Sequence, residues 1–246
     1  MDSSERREIL TKVANGQLTP EEAADQLGQA GPEPQPARSS LARVRIDTQL
    51  GSIDVVGDPT VREAVADGPH QARIEGDTLV IQGQQEEFGA FAFIGGRPWG
   101  LGADSDHRLL VRMNPALALE LDVQAGTCRV RGIEGPIRAD VQAGSLKIDG
   151  FRSPLQVSVQ AGSLKASGML CAGDSRITCE AGSVNIHLER GSSVRISART
   201  SLGKVTLPGP AGPVAGRGAP QATIGAGAAT LSIEGSMGSV TVTAEA

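Results

Sequence analysis

The chain contains very few aromatic residues. Its 246 residues include four phenylalanines, one tryptophan and no tyrosine. Aromatic side chains bury large areas and dominate many protein cores, so a chain that lacks them must build its core from smaller residues. Valine, isoleucine, leucine and alanine fill a narrow core well. We therefore expect a narrow core rather than the thick core of a two-sheet sandwich, which stays the alternative fold.

Three further absences limit the cellular setting and the function. No stretch approaches the roughly 18 uninterrupted apolar residues of a transmembrane helix. The N-terminal MDSSERREIL lacks the apolar centre of a signal peptide. The net charge of −5 argues against broad nucleic-acid binding, which needs a basic surface. We expect a cytoplasmic chain, free or peripheral at the membrane, with no transmembrane segment and no nucleic-acid partner.

A phrase of ten residues recurs in the middle of the chain. It reads VQAGTCRVRG at 123–132, VQAGSLKIDG at 141–150 and VQAGSLKASG at 159–168, with a looser copy, CEAGSVNIHL, at 179–188. The shared glycines are 18, 18 and 20 residues apart: Gly126, Gly144, Gly162 and Gly182. A period of about 20 residues with alternating apolar positions is typical of stacked β repeats.

Apolar and polar residues alternate after each of these glycines. Gly51, Gly203 and Gly238 begin further copies. The second residue after each glycine is apolar: Ile53, Cys128, Leu146, Leu164, Val184, Val205 and Val240. The third is polar or charged: Asp54, Arg129, Lys147, Lys165, Asn185, Thr206 and Thr241. The fourth is again apolar: Val55, Val130, Ile148, Ala166, Ile186, Leu207 and Val242. A period of two predicts a strand with one buried face.

Each copy therefore predicts one coil: a strand, a glycine bend, a second strand and a polar turn. Glycine permits backbone angles at the bend that a side chain would forbid. One coil cannot bury its apolar face alone, so coils must stack about 4.8 Å apart around a continuous core. We predict a mainly β chain, a single-domain β-solenoid or β-helix-like stack of coils of about 18–20 residues, with a small N-terminal two-helix hairpin.

The cysteines and histidines carry no recognisable chemistry. Cys128 and Cys179 occupy apolar positions of the repeat, so we expect both to be small buried hydrophobes. Cys171 lies in a turn region and is unassigned. An odd number of cysteines without a Cys-x-x-Cys spacing gives neither a metal site nor a disulfide framework. The histidines are scattered, as ordinary surface residues are: His70, His107 and His187.

The first 28 residues have helical rather than strand periodicity. Asn15-Gly16 ends one predicted helix, and Thr19-Pro20 with Glu22 forms the capping box of a second. So small a hairpin cannot form its own core. It should dock on its own β domain, on a second copy of the chain or on a different protein. The apolar docking residues are Ile9, Leu10, Val13, Leu18 and Leu27.

Two other segments depart from the repeat pattern. Residues 29–40 are rich in proline and predict a semi-extended linker before a β domain at 41–246. Residues 208–229 form a Gly/Ala/Pro tract that predicts a loop.

The segment FGAFAFIGGRPWG at 88–100 holds most of the aromatic residues. It is either a loop that caps or covers the stack, or an exposed apolar patch for a partner or a membrane interface. The residues of this candidate patch are Phe88, Phe91, Phe93 and Trp99.

The β region resembles the toast-rack domain, an adhesin-type family of β-strand-repeat proteins. The recurring Gly-Ser-Leu-x-Ile-x-Gly units carry this resemblance, together with LLVRMNPALALELDVQAG at 109–126, and it covers residues 41–246. ERREILTKVANGQLTPEEAADQL, in the N-terminal 1–28, resembles the SHOCT-like bihelical segment that precedes such domains in bacterial cell-envelope stress proteins.

The resemblance implies a non-enzymatic binding or scaffolding unit with a tethering or oligomerising hairpin. It implies protein partners among membrane-associated stress-response components, or a second copy of the chain. It brings no catalytic residue, cofactor or metal ligand, and we expect none.

Charged and amide side chains should form outward rows when the coils stack. Arg129, Lys147 and Lys165 should lie side by side, with Asn185 next. Asp122 and Asp140 should form a row on the adjoining strand, followed by Ser158 and Thr178. Neighbouring rows of opposite sign would make a solvated salt-bridge face. The alternative is an anion-binding strip for lipid headgroups or wall polymers.

A further outward row is explained by stacked amides: Gln124, Gln142, Gln160 and Glu180.

The function that follows is a scaffold or adaptor in a bacterial envelope stress response. The hairpin would recruit a partner and the β stack would present a binding surface. A self-assembling structural protein is the alternative, since stacked strands have open edges. A carbohydrate-active enzyme that uses Asp122 and Asp140 is a weaker alternative, because no matching acid or nucleophile accompanies them.

Overall fold

The computed structural model describes residues 41–83, 108–209 and 220–245, and the backbone alone at 93–94, 97–98 and 214–216. The chain divides into two units, Met1–Ser40 and Leu41–Ala246. The predicted helical hairpin at 1–28 and the linker at 29–40 lie outside the described residues. Secondary structure in the described ranges is entirely β.

The strands vary from short pieces of two residues to long strands of 14–16 residues. They are β1 Arg43–Gly57, β2 Ala64–Asp67, β3 His70–Glu75, β4 Thr78–Gly83, β5 Phe93–Ile94, β6 Arg97–Pro98, β7 Arg108–Met113, β8 Ala118–Arg131, β9 Ile137–Phe151, β10 Leu155–Gly168, β11 Asp174–Leu188, β12 Val194–Leu207, β13 Val214–Gly216, β14 Gln221–Ile224 and β15 Ala229–Ala244.

One large, mostly parallel sheet contains 13 of these strands, and β5 and β6 pair separately. The long strands lie in the order β12-β15-β11-β10-β9-β8-β1. Each continues through its glycine, and in-register pairing resumes on both sides of it. We call the part before the glycine the first arm and the part after it the second arm. Because single strands contribute both arms, one bent sheet replaces the two separate sheets of the alternative sandwich.

The glycines of neighbouring strands lie opposite one another at the bend. Gly144 and Gly162 have φ of 136° and 147°, in a region that residues with a side chain rarely adopt. A Cβ added to Gly162 would lie 1.8 Å from the carbonyl oxygen of Gly144, and one added to Gly144 would lie 1.9 Å from that of Gly126. Both the backbone angle and the close approach of the strands therefore require glycine.

The predicted apolar positions are buried and aligned. Ile53, Cys128 and Leu146 are neighbours in register, and each is at most 2% exposed. The fourth-position row is likewise buried, from Val55 at 0% to Ala166 at 4%. Burying one such side chain contributes about 1.5–3 kcal/mol, so continuous rows suffice without a large aromatic content. The core confirms the prediction of a period of two.

The strand order differs from the chain order at one point. β15, the last strand, lies between β11 and β12 and pairs in parallel with both. The intervening tract at 208–229, predicted as a loop, contains β13 and β14, which pair antiparallel with the far edge of β12. After β12 the chain therefore pairs back along the outer edge of that strand as β13 and β14. It then forms β15 between β11 and β12. The loop prediction was wrong here because the backbone donors and acceptors of an edge strand favour pairing even with glycine- and alanine-rich segments.

The opposite edge of the sheet has a matching arrangement. β4 and β7 both pair in parallel with β1, one along its first arm and one along its second. β3 then pairs antiparallel with β4, and β2 antiparallel with β7. Antiparallel strands therefore flank the parallel stack at both edges. Such strands interrupt the parallel pattern that a further stacked coil would need.

The close approach of the strands at the bend predicts that a side chain at Gly162 strongly lowers the stability of the fold. We expect Gly162→Ala to lower the free energy of unfolding by at least about 3 kcal/mol, because it adds an overlap to an unfavourable φ. Gly76→Ala is the matched control, since Gly76 has φ of 63° but no atom within 4 Å of its added Cβ. That control should lose about 1 kcal/mol. Equal losses in urea unfolding would contradict a role for the strand approach.

Candidate binding face

The outward side chains of the second arms form three parallel rows. The bent sheet sets them, because residues at the same distance after the glycine are neighbours on adjacent strands. We call the surface made by these three rows the cationic face. Each row crosses the strands, with one residue from each coil.

The first row, directly after the glycines, is a line of hydroxyl groups with a cation at each end. In spatial order it reads Arg108, Ser52, Thr127, Ser145, Ser163, Ser183, Ser239 and Lys204. Ser145 Oγ donates to Thr127 Oγ1 at 3.3 Å, which ties two neighbouring coils together. The row therefore presents hydroxyl groups between two positive ends.

The second row contains the predicted cations. Arg129, Lys147 and Lys165 are consecutive neighbours in register, and Asn185 follows, as the sequence predicted. All three cations are exposed. Lys147 Nζ lies 2.7 Å from Asp149 Oδ2, whereas Arg129 and Lys165 form no ion pair with any described residue.

The third row lies nearest the turns. It reads Arg112, Val56, Arg131, Asp149, Ser167, His187 and Thr243. Ser167 Oγ donates to Asp149 Oδ1 at 3.1 Å. His187 contacts Thr243 Oγ1 at 3.0 Å through Nδ1 and Glu245 Oε1 at 3.3 Å through Nε2. These contacts link Ser167 to Asp149, and His187 to Thr243 and Glu245, at the margin of the face.

The two arms differ strongly in charge. Along the second arms the strands β1, β7–β12 and β15 carry seven arginines and lysines against two aspartates. The first arms of the same long strands carry six arginines against seven carboxylates. The whole chain has a net charge of −5, so positive charge is concentrated on one face of a negatively charged protein.

The predicted acidic row is in register but does not neutralise the cations. Asp122, Asp140, Ser158 and Thr178 are consecutive neighbours on the first arms. The glycine bend separates them from the cations of the second arms. Within the described ranges no ion pair joins the two rows. The nearest partner of Asp122 is Arg45, whose Nη2 lies 3.9 Å from Oδ2.

One residue of the predicted polar set is buried. Asp54 is 2% exposed, and Arg108 Nε donates to its Oδ2 at 2.5 Å. Asp54 Oδ1 has no hydrogen-bond partner. Asp54 lies on β1, between β7 and β8, and Arg108 covers it from β7, which the sequence pattern did not reveal. A shallow cavity of about 310 Å³ adjoins this pair, and Ser52, Thr127 and Arg129 also line it.

The three cysteines lie in different environments. Burial raises the pKa of Cys128 to about 12, and the nearby charge of Asp54 adds to the effect. Burial also raises the pKa of Cys179, with a further contribution from Glu180. Cys171 is exposed in a turn, where its Sγ donates to the Gly191 carbonyl at 3.4 Å. The prediction that Cys128 and Cys179 are buried is confirmed.

Several predicted residues cannot be placed in a site. The docking residues Ile9, Leu10, Val13, Leu18 and Leu27 lie outside the described residues, as do Phe88, Phe91, Trp99 and His107. For Phe93 only the backbone is described, in the two-residue strand β5.

Sequence reasoning also missed three parts of the face. The hydroxyl row and Lys204 could have been found, because each of these residues directly follows an anchor glycine. Arg108 has no such signal, since β7 carries no anchor glycine of its own.

The described residues contain no group of three or more His, Cys, Asp and Glu side chains arranged to hold a metal ion. Over the same ranges, no helix has the length and apolar character needed to span a bilayer.

Comparisons with known proteins give one structural likeness. The sequence matches no protein-family model and no curated protein. The chain is similar to a solved structure of a putative cell adhesion protein from Clostridium sporogenes, with a TM-score of 0.44 and 12% sequence identity. This similarity covers 84% of the chain and 93% of the other protein.

Because Asp54 is buried, loss of its partner Arg108 should destabilise the protein more than loss of the partner of an exposed carboxylate. Arg108→Gln leaves Asp54 charged and unpaired, so we expect a loss of about 3 kcal/mol in the free energy of unfolding. Arg45→Gln removes an exposed pair whose Nε–Oδ1 distance to Asp47 is 3.0 Å, and should cost about 0.5 kcal/mol. Urea unfolding of both variants checks this, and equal small losses would show that Asp54 has access to water.

The cysteine environments predict selective alkylation. At pH 8 iodoacetamide should modify Cys171 in the folded protein, because the raised pKa values and burial keep Cys128 and Cys179 protonated and shielded. In denaturant all three should react. Peptide mass spectrometry gives the extent at each position. Modification of Cys128 as fast as Cys171 in the native protein would contradict its place in the core.

Proposed function

We propose that this chain is a non-enzymatic scaffold whose β domain presents a rigid binding surface. The observation that carries the proposal is the cationic face, where rows of side chains cross adjacent strands with one residue from each coil. Close contacts at the glycines fix the spacing of these rows. A surface of this kind suits an extended partner, because it repeats the same contacts along its length.

The chemistry of the face supports binding rather than catalysis. Asp149, Ser167 and His187 are neighbours in the third row, and these residue types occur together in hydrolases. Ser167 donates to Asp149, however, and both nitrogens of His187 contact other residues, Thr243 and Glu245. A serine nucleophile needs its own hydrogen bond to the histidine, and this arrangement lacks it.

The acidic row gives little support to a glycosidase. Asp122 and Asp140 are in-register neighbours on an outward face, and the Asp122 side chain is 51% exposed. A glycosidase needs one carboxyl group kept protonated by its surroundings. Asp122 and Asp140 are both exposed, so neither has the apolar enclosure that such a group needs.

The hairpin is the proposed recruitment element. The resemblance of residues 1–28 to SHOCT-like segments, and of residues 41–246 to toast-rack domains, supports a place in a bacterial envelope stress response. In this proposal the hairpin binds a membrane-associated stress component in the cytoplasm or at the membrane periphery, while the β domain holds a second ligand. Ile9, Leu10, Val13, Leu18 and Leu27 would contact the partner.

Self-assembly is the second candidate, and one observation favours it. The residues just before the glycines form an apolar row across the bend, with large exposed members at its ends. Leu50 is 58% exposed, Met237 55% and Leu202 68%, and alanines lie between them in register. Exposed apolar residues in a line can pair with a second copy of the chain.

The test is cross-linked affinity purification of the full chain from its native cells. Leu10→Glu with Leu27→Glu should abolish capture of membrane or stress-regulator proteins, because charge on the docking side of the hairpin prevents burial. Gln17→Glu with Gln26→Glu adds the same charge outside the apolar positions and should leave capture unchanged. Unchanged partners with the first pair would overturn the recruitment role. Recovery of only the chain itself from all samples would support self-assembly.

A further inference from the structure

We propose that the cationic face binds a linear anionic polysaccharide, which lies across the strands and follows the rows of the stack. This inference deepens the proposed scaffold role and rests on it only in treating the face as a binding surface. It assigns a ligand class to the second arms and concerns neither the hairpin nor its partner.

The spacing of the cations matches a polymer with regularly placed charges. Adjacent strands in a sheet are about 4.8 Å apart, so Arg129, Lys147 and Lys165 offer three positive groups over roughly 10 Å. The hydroxyl row runs alongside from Arg108 to Lys204, across eight strands, which is about 34 Å. A small anion would contact the side chains of one strand, whereas a linear polymer can contact those of successive strands.

The charge of the face is not neutralised within the protein. Like charges on neighbouring strands destabilise a sheet, and three consecutive cations therefore carry a cost. Lys147 is paired with Asp149, but Arg129 and Lys165 have no ion-pair partner among the described residues. A polyanion that lies along the row would offset the repulsion at each step.

The hydroxyl row favours a saccharide. Thr127, Ser145 and Ser163 lie beside the three cations, each two residues before one of them on the same strand. Hydroxyl groups donate and accept hydrogen bonds, so they suit the hydroxyl groups of a sugar chain next to its anionic groups. Both kinds of contact recur from coil to coil.

The composition of the face disfavours two other polyanionic surfaces. Binding of single-stranded nucleic acid relies on aromatic side chains that stack on bases, and the three rows contain no Phe, Tyr or Trp. Association with a bilayer is strengthened by apolar side chains that enter it, and the large apolar residues in the rows are Val56 and Leu110, both at one end of the face. An anionic polysaccharide needs neither.

The test uses the full chain and three probes: fluorescent polygalacturonate, vesicles of phosphatidylglycerol, and a single-stranded thymidine oligonucleotide. Polygalacturonate should bind, and neutral dextran should not. The triple variant Arg129→Gln, Lys147→Gln, Lys165→Gln should weaken polygalacturonate binding by about tenfold or more, and the salt dependence of its Kd should become less steep.

The matched control removes the same charge from the first arms. Arg138→Gln, Arg176→Gln and Arg195→Gln should leave the affinity within about twofold, because the bend separates them from the face. Lys147→Arg with Lys165→Arg should retain binding, and thermal melts establish that each variant is folded. Lys165→Glu supplies a single-site version should the triple variant prove unstable.

Several results would overturn the proposal. These are no binding of the natural chain to polygalacturonate, equal weakening by both triple variants, or preferred binding to the vesicles or the oligonucleotide. Loss of polysaccharide binding would leave partner capture through the hairpin intact, so the experiment separates failure of this inference from failure of the recruitment role.

Discussion

The close approach of the bend glycines is the constraint on which the rest of the structure depends. Along the stack, a Cβ added to any of six successive glycines would lie 1.7–2.0 Å from the carbonyl oxygen of the next. A slip of one residue would bring a side chain into that space. The register is therefore fixed at the bend, and every row of the two arms follows from it. In an ordinary sheet the hydrophobic pattern and the turns must specify the register.

A fixed register explains how a chain with so few aromatic residues forms a stable core and a distinctive surface. Each inward row needs side chains small enough for a narrow interior, and Cys128, Ala166 and the valines meet that need. The outward rows have no such limit on size or charge. The first arms use this freedom for a balanced mixture of charges, and the second arms for an excess of cations. The difference in charge between the two faces thus depends on a few outward positions in each coil.

The repeat made much of the fold predictable from sequence. The inward rows, the outward cation row and the burial of Cys128 and Cys179 all follow from the distance to a glycine. The position of β15 does not, because β12 and β15 both carry the anchor glycine and the alternating pattern, and either could pair with β11. The burial of Asp54 was also hidden, since it depends on Arg108, which arrives from a strand without its own glycine. Local pattern predicts the coil, and the long-range order of coils depends on connections that the pattern does not contain.

Disulfide formation between residues of one row on neighbouring strands tests the strand order, and with it the composition of the cationic face. In a background in which Cys128, Cys171 and Cys179 are replaced, Ser183→Cys with Ser239→Cys should oxidise readily, because these residues are in register on adjacent strands and their Cα atoms should be about 5 Å apart. Ser183→Cys with Lys204→Cys should stay reduced, because β15 separates the two strands by about 9.6 Å in total. Oxidation of the second pair and not the first would show that β12 pairs directly with β11, and would contradict the arrangement of rows on which the proposed binding surface depends.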